Sequence, residues 1–385
     1  MALVETPWHV LGAFLVFVFG LLLMINVGRR LDLKRPSIIL LYCWHTLFCF
    51  IYVIYVLKNG GDAVEYYRDA LTLRRWELGT AAISGIAAPF IHVIGLSFLG
   101  VNLVFSLFGA IGLLAFYASL KAEIRDKPRW VRRLALLVVL LPSVSFWSAA
   151  LGKDALAFMA TGLALWAAIN LRDRSLVMWF AVGIMLIIRP HMAGIMILAL
   201  GVSLTFTSSM SHLRKFAFST LIILAAAIMI PLALRYAGLG SAESIAEVGD
   251  YIEQRQMYNR EGGGGIDISS MNAPMRAFTY LFRPLPFEAH NFSALAASMD
   301  NVLLLALTGF GIWGLANRRK GLPGANRIFL WCYSAACLGV LSMTTANLGI
   351  SVRQKWMFLP MIIFLLFSVT GRARRPPLSY GGSSL

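Results

Sequence analysis

The sequence predicts an all-α polytopic membrane protein, and three observations lead to this fold class. Of the 385 residues, 59% are hydrophobic and only 14% are charged, and the mean hydropathy is +0.74. Apolar runs of about 20 residues recur along most of the chain, and a helix of that length crosses a hydrocarbon core of roughly 30 Å. The runs are continuous and lack the two-residue alternation of a membrane β-barrel. This pattern excludes a soluble enzyme of two or three domains.

Positive charge is distributed unevenly along the chain. The protein carries 34 Lys and Arg against 18 Asp and Glu, a formal net charge of +16. Most of the basic residues fall in short clusters between apolar runs: Arg29, Arg30, Lys34 and Arg35; 121–133; Arg172 and Arg174; Arg214 and Lys215; 318–327; and Arg372, Arg374 and Arg375. Because cytoplasmic loops of membrane proteins are enriched in Lys and Arg, we place these clusters in the cytoplasm. The net charge therefore indicates orientation and not a nucleic-acid partner.

With these clusters inside, the chain is predicted to cross the membrane about 11 times, with the N-terminus outside and the C-terminus in the cytoplasm. The predicted spans are 8–27, 37–57, 99–120, 134–147, 155–170, 176–188, 192–207, 216–234, 302–316, 328–345 and 356–369. A further apolar stretch, 80–96, is interpreted as an amphipathic or re-entrant helix at the outer interface, interrupted by Gly85 and Pro89. A full crossing there would place the next basic cluster outside.

The spans divide the chain into parts. These are an extra N-terminal span and cytoplasmic loop (1–36), a seven-span module with an outer loop at 58–98 (37–236), an outer loop (237–300), three C-terminal spans (301–371) and a disordered cytoplasmic tail (372–385). The first apolar run is expected to be a retained span, because its positive cluster follows it. The four cysteines lie in apolar runs and lack the spacing of a zinc site.

The polar residues outside the basic clusters gather in segments that this topology places on the outer side. They are 61–67 (GDAVEYY), 147–154 (WSAALGKD), 189–191 (RPH), 283–288 (RPLPFE) and 347–355 (NLGISVRQK). A charge near the centre of a bilayer costs roughly 2.5 to 3.5 kcal/mol on insertion scales, so these side chains are expected at the interface or around a water-filled cavity. An outward-facing cavity is therefore the predicted functional site.

Acidic residues in the first of these segments are candidates for catalysis. Asp62 and Glu65 are three positions apart, so one helical turn places both carboxylates on the same side. A carboxylate can act as general base for a sugar hydroxyl, and two together can hold a divalent cation. The alternative for Asp62 is that it caps an interfacial helix. Tyr66 in the same segment is a candidate substrate contact.

Cationic residues in two further segments are candidates for binding phosphate. Lys153 can act as a point charge, and Asp154 beside it can belong to the same site or cap the following helix; a local ion pair is the alternative. Arg189 suits a bidentate phosphate contact, and His191 can hydrogen-bond phosphate or exchange a proton. A polar turn around Pro190 is the alternative there.

The last two outer segments carry Arg283 with Glu288, and Arg353 with Lys355. Outer positive charge opposes the orientation bias, which favours a specific anionic partner such as a lipid phosphate; headgroup anchoring is the alternative for each residue alone. Glu288 is a further candidate for substrate binding. The chain has no GxxxxGK[ST], HExxH or GxSxG motif and no GxGxxG that follows a strand, so a preactivated substrate is favoured over an intracellular nucleotide.

These segments resemble the GT-C superfamily of polyprenol-dependent glycosyltransferases and the related Wzy-type polysaccharide polymerases of bacterial envelope gene clusters. In that superfamily an outer loop after an early span carries an acidic residue and interfacial helices, and GDAVEYY followed by 80–96 is similar. WSAALGKD is similar in place to the second outer loop of the family. Residues 37–234 resemble the seven-span GT-C module, preceded here by one extra span.

The resemblance implies a glycosyltransferase of the bacterial inner membrane that acts at the periplasmic face, in exopolysaccharide, O-antigen or capsule biosynthesis. Asp62 would be the catalytic base and Asp154 a second catalytic residue, while Arg189, Arg283 and Arg353 would bind the phosphate or diphosphate of a polyprenyl-linked sugar donor. The implied partners are this donor, a glycan or glycolipid acceptor, membrane lipid and other polysaccharide-assembly proteins, with no nucleic acid.

Two further points stay open at this stage. The acidic pair of the family is reduced to Asp62 alone, so no cofactor is fixed and a divalent cation, Mg²⁺ or Mn²⁺, is an alternative. A Wzy-type polymerase of lipid-linked repeat units is the second functional reading, and a transporter or flippase for a lipid-linked saccharide is the third. A transporter is expected to show inverted repeats and polar residues near mid-membrane, whereas the charged candidates here lie at one face.

Overall fold

A computed structural model of the chain describes residues 4–72, 77–207, 264–317 and 326–371, together with Thr220 and residues 253–254 and 256–257. Among these residues the fold is all-helical, with one isolated β-bridge between Gly265 and Asn347. Six helices are long and apolar enough to cross a membrane, and a bent pair makes a seventh if it counts as one span. The predicted all-α character is confirmed among the described residues, and the long apolar helices support a multi-pass membrane protein, while the number of about 11 spans and their orientation stay predictions.

The N-terminal part contains ten described helices. They are α1 (Pro7–Arg30), α2 (Arg35–Asn59), α3 (Asp62–Leu71), α4 (Thr80–His92), α5 (Phe98–Ile124), α6 (Arg129–Val139), α7 (Pro142–Ser148), α8 (Lys153–Ile169), α9 (Ser175–Ile188) and α10 (Pro190–Thr207). Helices α1 and α2 pack on α5, and α8 packs between α5 and α9. In the apolar window of α1 only 22% of residues are buried, against 83% in α5, so α5 is the central helix and α1 is peripheral.

The C-terminal part adds α11 (Ala273–Phe282), α12 (Phe292–Ala316), α13 (Arg327–Thr344), α14 (Leu348–Gln354) and α15 (Leu359–Val369), with short 3-10 helices at Pro286–Glu288 and Lys355–Met357. The chain bends by 68° between Leu348–Met357 and Leu359–Val369. Residues 264–266 pair with the segment that leads into α14. The Leu348 backbone amide donates to the Gly264 carbonyl (2.8 Å), and the Ile266 backbone amide donates to the Ala346 carbonyl (2.9 Å). Two residues of the glycine-rich run are thus fixed against α14.

Close contact between α5 and α8 depends on two glycines. A Cβ added to Gly162 would lie 2.4 Å from the Gly112 carbonyl oxygen, and one added to Gly112 would lie 2.8 Å from the Cα of Met159. Small residues at such a crossing let two membrane helices approach backbone to backbone. With 17 residues, α8 is about 26 Å long and is enclosed by other helices along most of its length. Its first turn carries Lys153 and Asp154.

Several predicted boundaries differ from the structure. Residues 80–92 form one continuous helix, so the predicted interruption at Gly85 and Pro89 is wrong. Pro89 lies in the last turn, where its missing N–H removes a single hydrogen bond shortly before the helix ends. The predicted span 134–147 lies within Arg129–Ser148, which is long and apolar enough to cross a membrane, and Pro142 divides this stretch into α6 and α7. The predicted span 216–234 and the tail 372–385 lie outside the described residues.

Contacts between inter-helix segments bring several basic clusters to one end of the bundle. The Lys121 ammonium lies 3.6 Å from the Asp32 carboxylate, beside the first cluster. The Lys127 ammonium donates to the carbonyls of Phe367, Ser368 (2.8 Å) and Thr370 (3.0 Å), just before the last cluster. The Asn326 backbone N–H donates to the Ala168 carbonyl at 2.9 Å, four residues before Arg172. Charged residues of four other segments, Asp62, Asp154, Arg189 and Arg353, meet at the opposite end.

Candidate functional site

Charged side chains from four separate segments form one continuous chain of ion pairs. The Asp154 carboxylate accepts from an Arg189 guanidinium nitrogen at 3.0 Å and, through its other oxygen, from Arg353 Nε. A second nitrogen of Arg353, Nη1, lies 2.7 Å from Asp62 Oδ2. The order is therefore Arg189, Asp154, Arg353, Asp62, and these residues are called the charged cluster below. Four of the five predicted outer segments meet in it.

Asp62 reaches the cluster through a sharp turn at the end of α2. Gly60 and Gly61 have φ values of +76° and +152°, which glycine adopts far more readily than other residues. Gly61 is the N-cap of α3 and Asp62 is its first residue, with no side-chain cap, so the alternative that Asp62 caps the helix is wrong. Its side chain turns to Arg353 and is 45% exposed. Glu65, one turn later, is exposed to solvent.

Asp154 is the anchor of the cluster. It is the second residue of α8 and is buried, and the N-terminal end of the helix dipole favours its negative charge. Burial alone would raise the pKa of this carboxyl, but Arg353 and Arg189 together hold the pKa below its ordinary value. Since each oxygen accepts from a different arginine, the carboxylate fixes two guanidinium groups at once.

Arg189 occupies the break between α9 and α10. Pro190 begins α10 and disfavours a helical conformation of the residue before it, so Arg189 leaves the helix with φ −146° and ψ 75°. The predicted polar turn is present, and it also delivers the guanidinium to Asp154. The buried Nε of Arg189 has no hydrogen-bond partner within the part of the chain that the structure describes. His191 follows as the second residue of α10 and is half-buried.

Lys153 connects the cluster to the outer-loop helix α4. Its ammonium donates to Thr80 Oγ1 at 2.9 Å, where α4 begins. Lys153 precedes the apolar part of α8, and burial lowers its pKa to about 8, with the positive charge of Arg189 acting in the same direction. At neutral pH the ammonium therefore carries its charge but gives up its proton more easily than a surface lysine.

Aromatic side chains form one wall of the site. The Arg353 guanidinium carbon lies 5.6 Å from the centroid of the Trp147 ring, within cation–π range. Tyr52 packs edge-on against Trp147 and Phe146, with centroids 6.3 and 5.2 Å apart. Tyr66 is buried beneath Asp62 on α3. The sequence pointed to Tyr66 but not to Tyr52 or Thr80, because neither lies in a charged segment.

Two predicted binding residues, Arg283 and Glu288, pair with each other outside the charged cluster. Arg283 Nε donates to Glu288 Oε1 at 2.8 Å, and the Leu285 amide donates to Glu288 Oε2 at 2.7 Å. Burial would raise the pKa of Glu288, but Arg283 and the Leu285 amide hold the pKa below its usual value. Arg283 and Glu288 thus stabilise their own turn, and no described contact joins them to the charged cluster.

Lys355 does not fit the predicted role in substrate binding. Its side chain is completely buried, and the ammonium donates to the Leu281 carbonyl at 3.2 Å and to Asn301 Oδ1. These contacts tie the 3-10 helix after α14 to α11 and α12. Lys355 is therefore a packing residue beside the site.

The described residues do not supply a set of ligands for a divalent cation. No group of three or more His, Cys, Asp and Glu side chains suited to a metal occurs among them. Mg²⁺ and Ca²⁺ sites use several oxygen ligands, whereas the Asp62 carboxylate here faces a guanidinium and Glu65 faces solvent.

The fold and the charged cluster define a class: a multi-pass helical membrane protein with a buried acid–base cluster at the end opposite its basic loops. No protein-family model, curated protein or solved structure matches the chain.

Proposed function

We propose that the chain is a GT-C-like integral membrane glycosyltransferase acting at the outer, periplasmic face of the bacterial inner membrane. It would transfer a sugar or oligosaccharide from a polyprenyl-(di)phosphate-linked donor to a glycan or glycolipid acceptor. The charged cluster carries the proposal, because it combines buried cations for a phosphate with a half-exposed carboxylate suited to accept a proton. The basic loops at the other end of the bundle support an orientation with the cluster outside.

In this proposal the cations bind the donor's phosphate and stabilise the leaving group. Arg353 and Arg189 are held in place by Asp154 before substrate arrives, so little reorganisation is needed when charge develops on the departing phosphate. Lys153 adds a third positive charge from the same end of α8. Charges enclosed by protein also act more strongly than charges in water.

Asp62 and Asp154 have different roles in the proposed reaction. The acceptor oxygen forms a bond to the anomeric carbon as the bond between that carbon and the phosphate oxygen breaks, and the electron pair leaves with the phosphate. The proton of the acceptor hydroxyl passes to Asp62, which is 45% exposed. Asp154 is the poorer base because both of its oxygens accept from arginine. Its role is to position Arg189 and Arg353.

A polymerase that joins lipid-linked repeat units would use the same chemistry, with a lipid-linked oligosaccharide as the acceptor. The products separate these readings. A host strain that lacks the gene would be complemented with the wild type, with Asp62→Asn or with Glu77→Gln, and its lipid-linked oligosaccharides would be analysed by mass spectrometry. Glu77 is an exposed carboxylate in the same outer loop, so its variant is the matched control.

We expect Asp62→Asn to fail to complement and Glu77→Gln to complement fully. Lipid-linked units that are short by one sugar would identify a transferase, and complete single units would identify a polymerase. Full complementation by Asp62→Asn would remove Asp62 as the base. Accumulation of complete units on the cytoplasmic leaflet alone would favour a flippase and count against an enzyme.

A further inference from the structure

The Arg353 guanidinium has a carboxylate on each of two edges, and the two carboxylates differ in how firmly they are held. Asp154 binds Arg353 Nε, also binds Arg189, and has a side chain that is 9% exposed. Asp62 lies 2.7 Å from Arg353 Nη1, and its side chain is 45% exposed. Removing Asp154 would leave the largely enclosed Arg189 without a carboxylate and Arg353 with Asp62 alone, whereas Asp62 can move into water. Only the Asp62 side of Arg353 can therefore be exchanged for another anion.

The charges of the site show what kind of anion fits. Lys153, Arg189 and Arg353 are positive, and Asp154 offsets one of these charges permanently. Asp62 offsets a second charge through an ion pair whose carboxylate is 45% exposed, and water competing for that carboxylate weakens the pair. A phosphate oxygen can bind the planar guanidinium in the same geometry as a carboxylate oxygen and can be reached by further cations at the same time.

We propose that the Asp62 carboxylate occupies the phosphate subsite of the resting protein, and that a lipid phosphate displaces it from Arg353. This inference rests on the function proposed above and deepens it, because it makes donor binding the event that frees the base. In the resting state the Asp62 carboxylate is engaged by Arg353 Nη1 at 2.7 Å. Once the phosphate takes its place on Arg353, the carboxylate is released and can contact the acceptor hydroxyl.

The proposal predicts that Asp62 competes with the ligand. Equilibrium binding of farnesyl phosphate, a short isoprenyl phosphate, would be measured on the full chain purified in detergent. We expect Asp62→Asn to bind it about three- to tenfold more tightly than the wild type, because the competing carboxylate has been removed. Glu77→Gln removes one negative charge from the same loop and is expected to stay within about twofold of the wild type, since screening weakens charges that are not in contact.

Two further probes identify what is exchanged. Inorganic phosphate is expected to show the same gain in Asp62→Asn, because the gain belongs to the phosphate group, and farnesol without phosphate is expected to show none. Infrared difference spectra of the wild type should show a shifted carboxylate band when farnesyl phosphate is added, and the band should be absent in Asp62→Asn.

The outcomes separate this inference from the proposed function. If the wild type binds farnesyl phosphate and Asp62→Asn binds it no more tightly, the exchange is wrong while the function stands. An equal gain in Glu77→Gln would also overturn the exchange, because it would show a general effect of charge. If neither the wild type nor Asp62→Asn binds farnesyl phosphate, both proposals fail.

Discussion

Buried cations occur at both ends of the bundle, and they are satisfied in different ways. At the end with the basic loops, the Lys127 ammonium donates to backbone carbonyls at the C-terminal end of α15 and lies 3.9 Å from the Glu123 carboxylate, whose side chain is 1% exposed. At the other end, Arg353 and Arg189 pair with carboxylates, one of which is half-exposed. Backbone carbonyls at a helix end cannot leave without unwinding the helix, whereas a side chain on an exposed turn can. The charged cluster therefore has a partner that can be exchanged, whereas the partners of Lys127 are fixed.

The largest expected loss of stability is that of Asp154→Asn, which tests whether Asp154 holds the charged cluster together. Asp154→Asn removes the charge that compensates two buried guanidinium groups, and we expect unfolding to become easier by about 3 to 5 kcal/mol. Thermal unfolding in detergent, followed by circular dichroism, measures this. Product formation should be lost as well. An Asp154→Asn variant as stable as the wild type would show that the carboxylate does not hold the cluster together.

Lys127→Met tests the other end. The change leaves the last carbonyls of α15 without their donor, so we expect a loss of about 1 to 3 kcal/mol in stability. Binding of farnesyl phosphate should be unchanged, because the site lies at the opposite end. If this variant weakened phosphate binding at temperatures where it remains folded, the two ends would not be independent.

The pH dependence of phosphate binding follows from Lys153. Its pKa is lowered to about 8, so the charged form that attracts phosphate is present below about pH 8 and is lost as the pH rises through that value. We expect affinity for farnesyl phosphate to fall about tenfold between pH 7 and pH 9, as one charge-assisted contact is lost. Lys153→Arg should abolish this fall, because arginine stays protonated throughout. The same fall in both proteins would assign the titration to another group.

The smallest expected change in stability concerns the buried hydroxyl of Tyr280 on α11. Tyr280 is buried, and its hydroxyl has no hydrogen-bond partner among the described residues. Tyr280→Phe should therefore stabilise the fold by about 1 kcal/mol. Tyr333→Phe is the matched control, because the Tyr333 hydroxyl donates to the Met357 carbonyl at 3.2 Å, and its loss should destabilise by about 1 kcal/mol. Thermal unfolding that shows the same sign for both variants would contradict this assignment.

The sequence predicted the coarse architecture because span length is a local property. Continuous apolar runs are sufficient to locate α1, α2, α5, α12 and α13. The basic segments and the other polar segments alternate along the chain. Because every second span returns the chain to the same side, this alternation predicts that the other polar segments lie together at one end of the bundle. Asp62, Asp154, Arg189 and Arg353 were selected on that basis, and the structure brings them together.

The partners of these residues could not be predicted in the same way. Arg353 and Asp154 are 199 positions apart, and only the packing of the helices between them decides which carboxylate meets which guanidinium. Lys355 illustrates the limit most directly. It is two positions from Arg353, and residues two apart on a helix point in different directions, so one reaches the cluster and the other enters the packing against α11. Charge and proximity in sequence did not distinguish them.

The glycine contact between α5 and α8 has a consequence for the depth of the site. Asp154 is eight residues before Gly162, about 12 Å along the same helix, so the backbone contact at Gly112 sets how far α8 extends toward the charged cluster. Any side chain at either glycine would push the helix axes apart and carry Asp154 away from Arg189 and Arg353. Two residues without functional groups therefore determine where Asp154 lies relative to Arg189 and Arg353, so the geometry of the charged cluster depends on a steric constraint about 12 Å away.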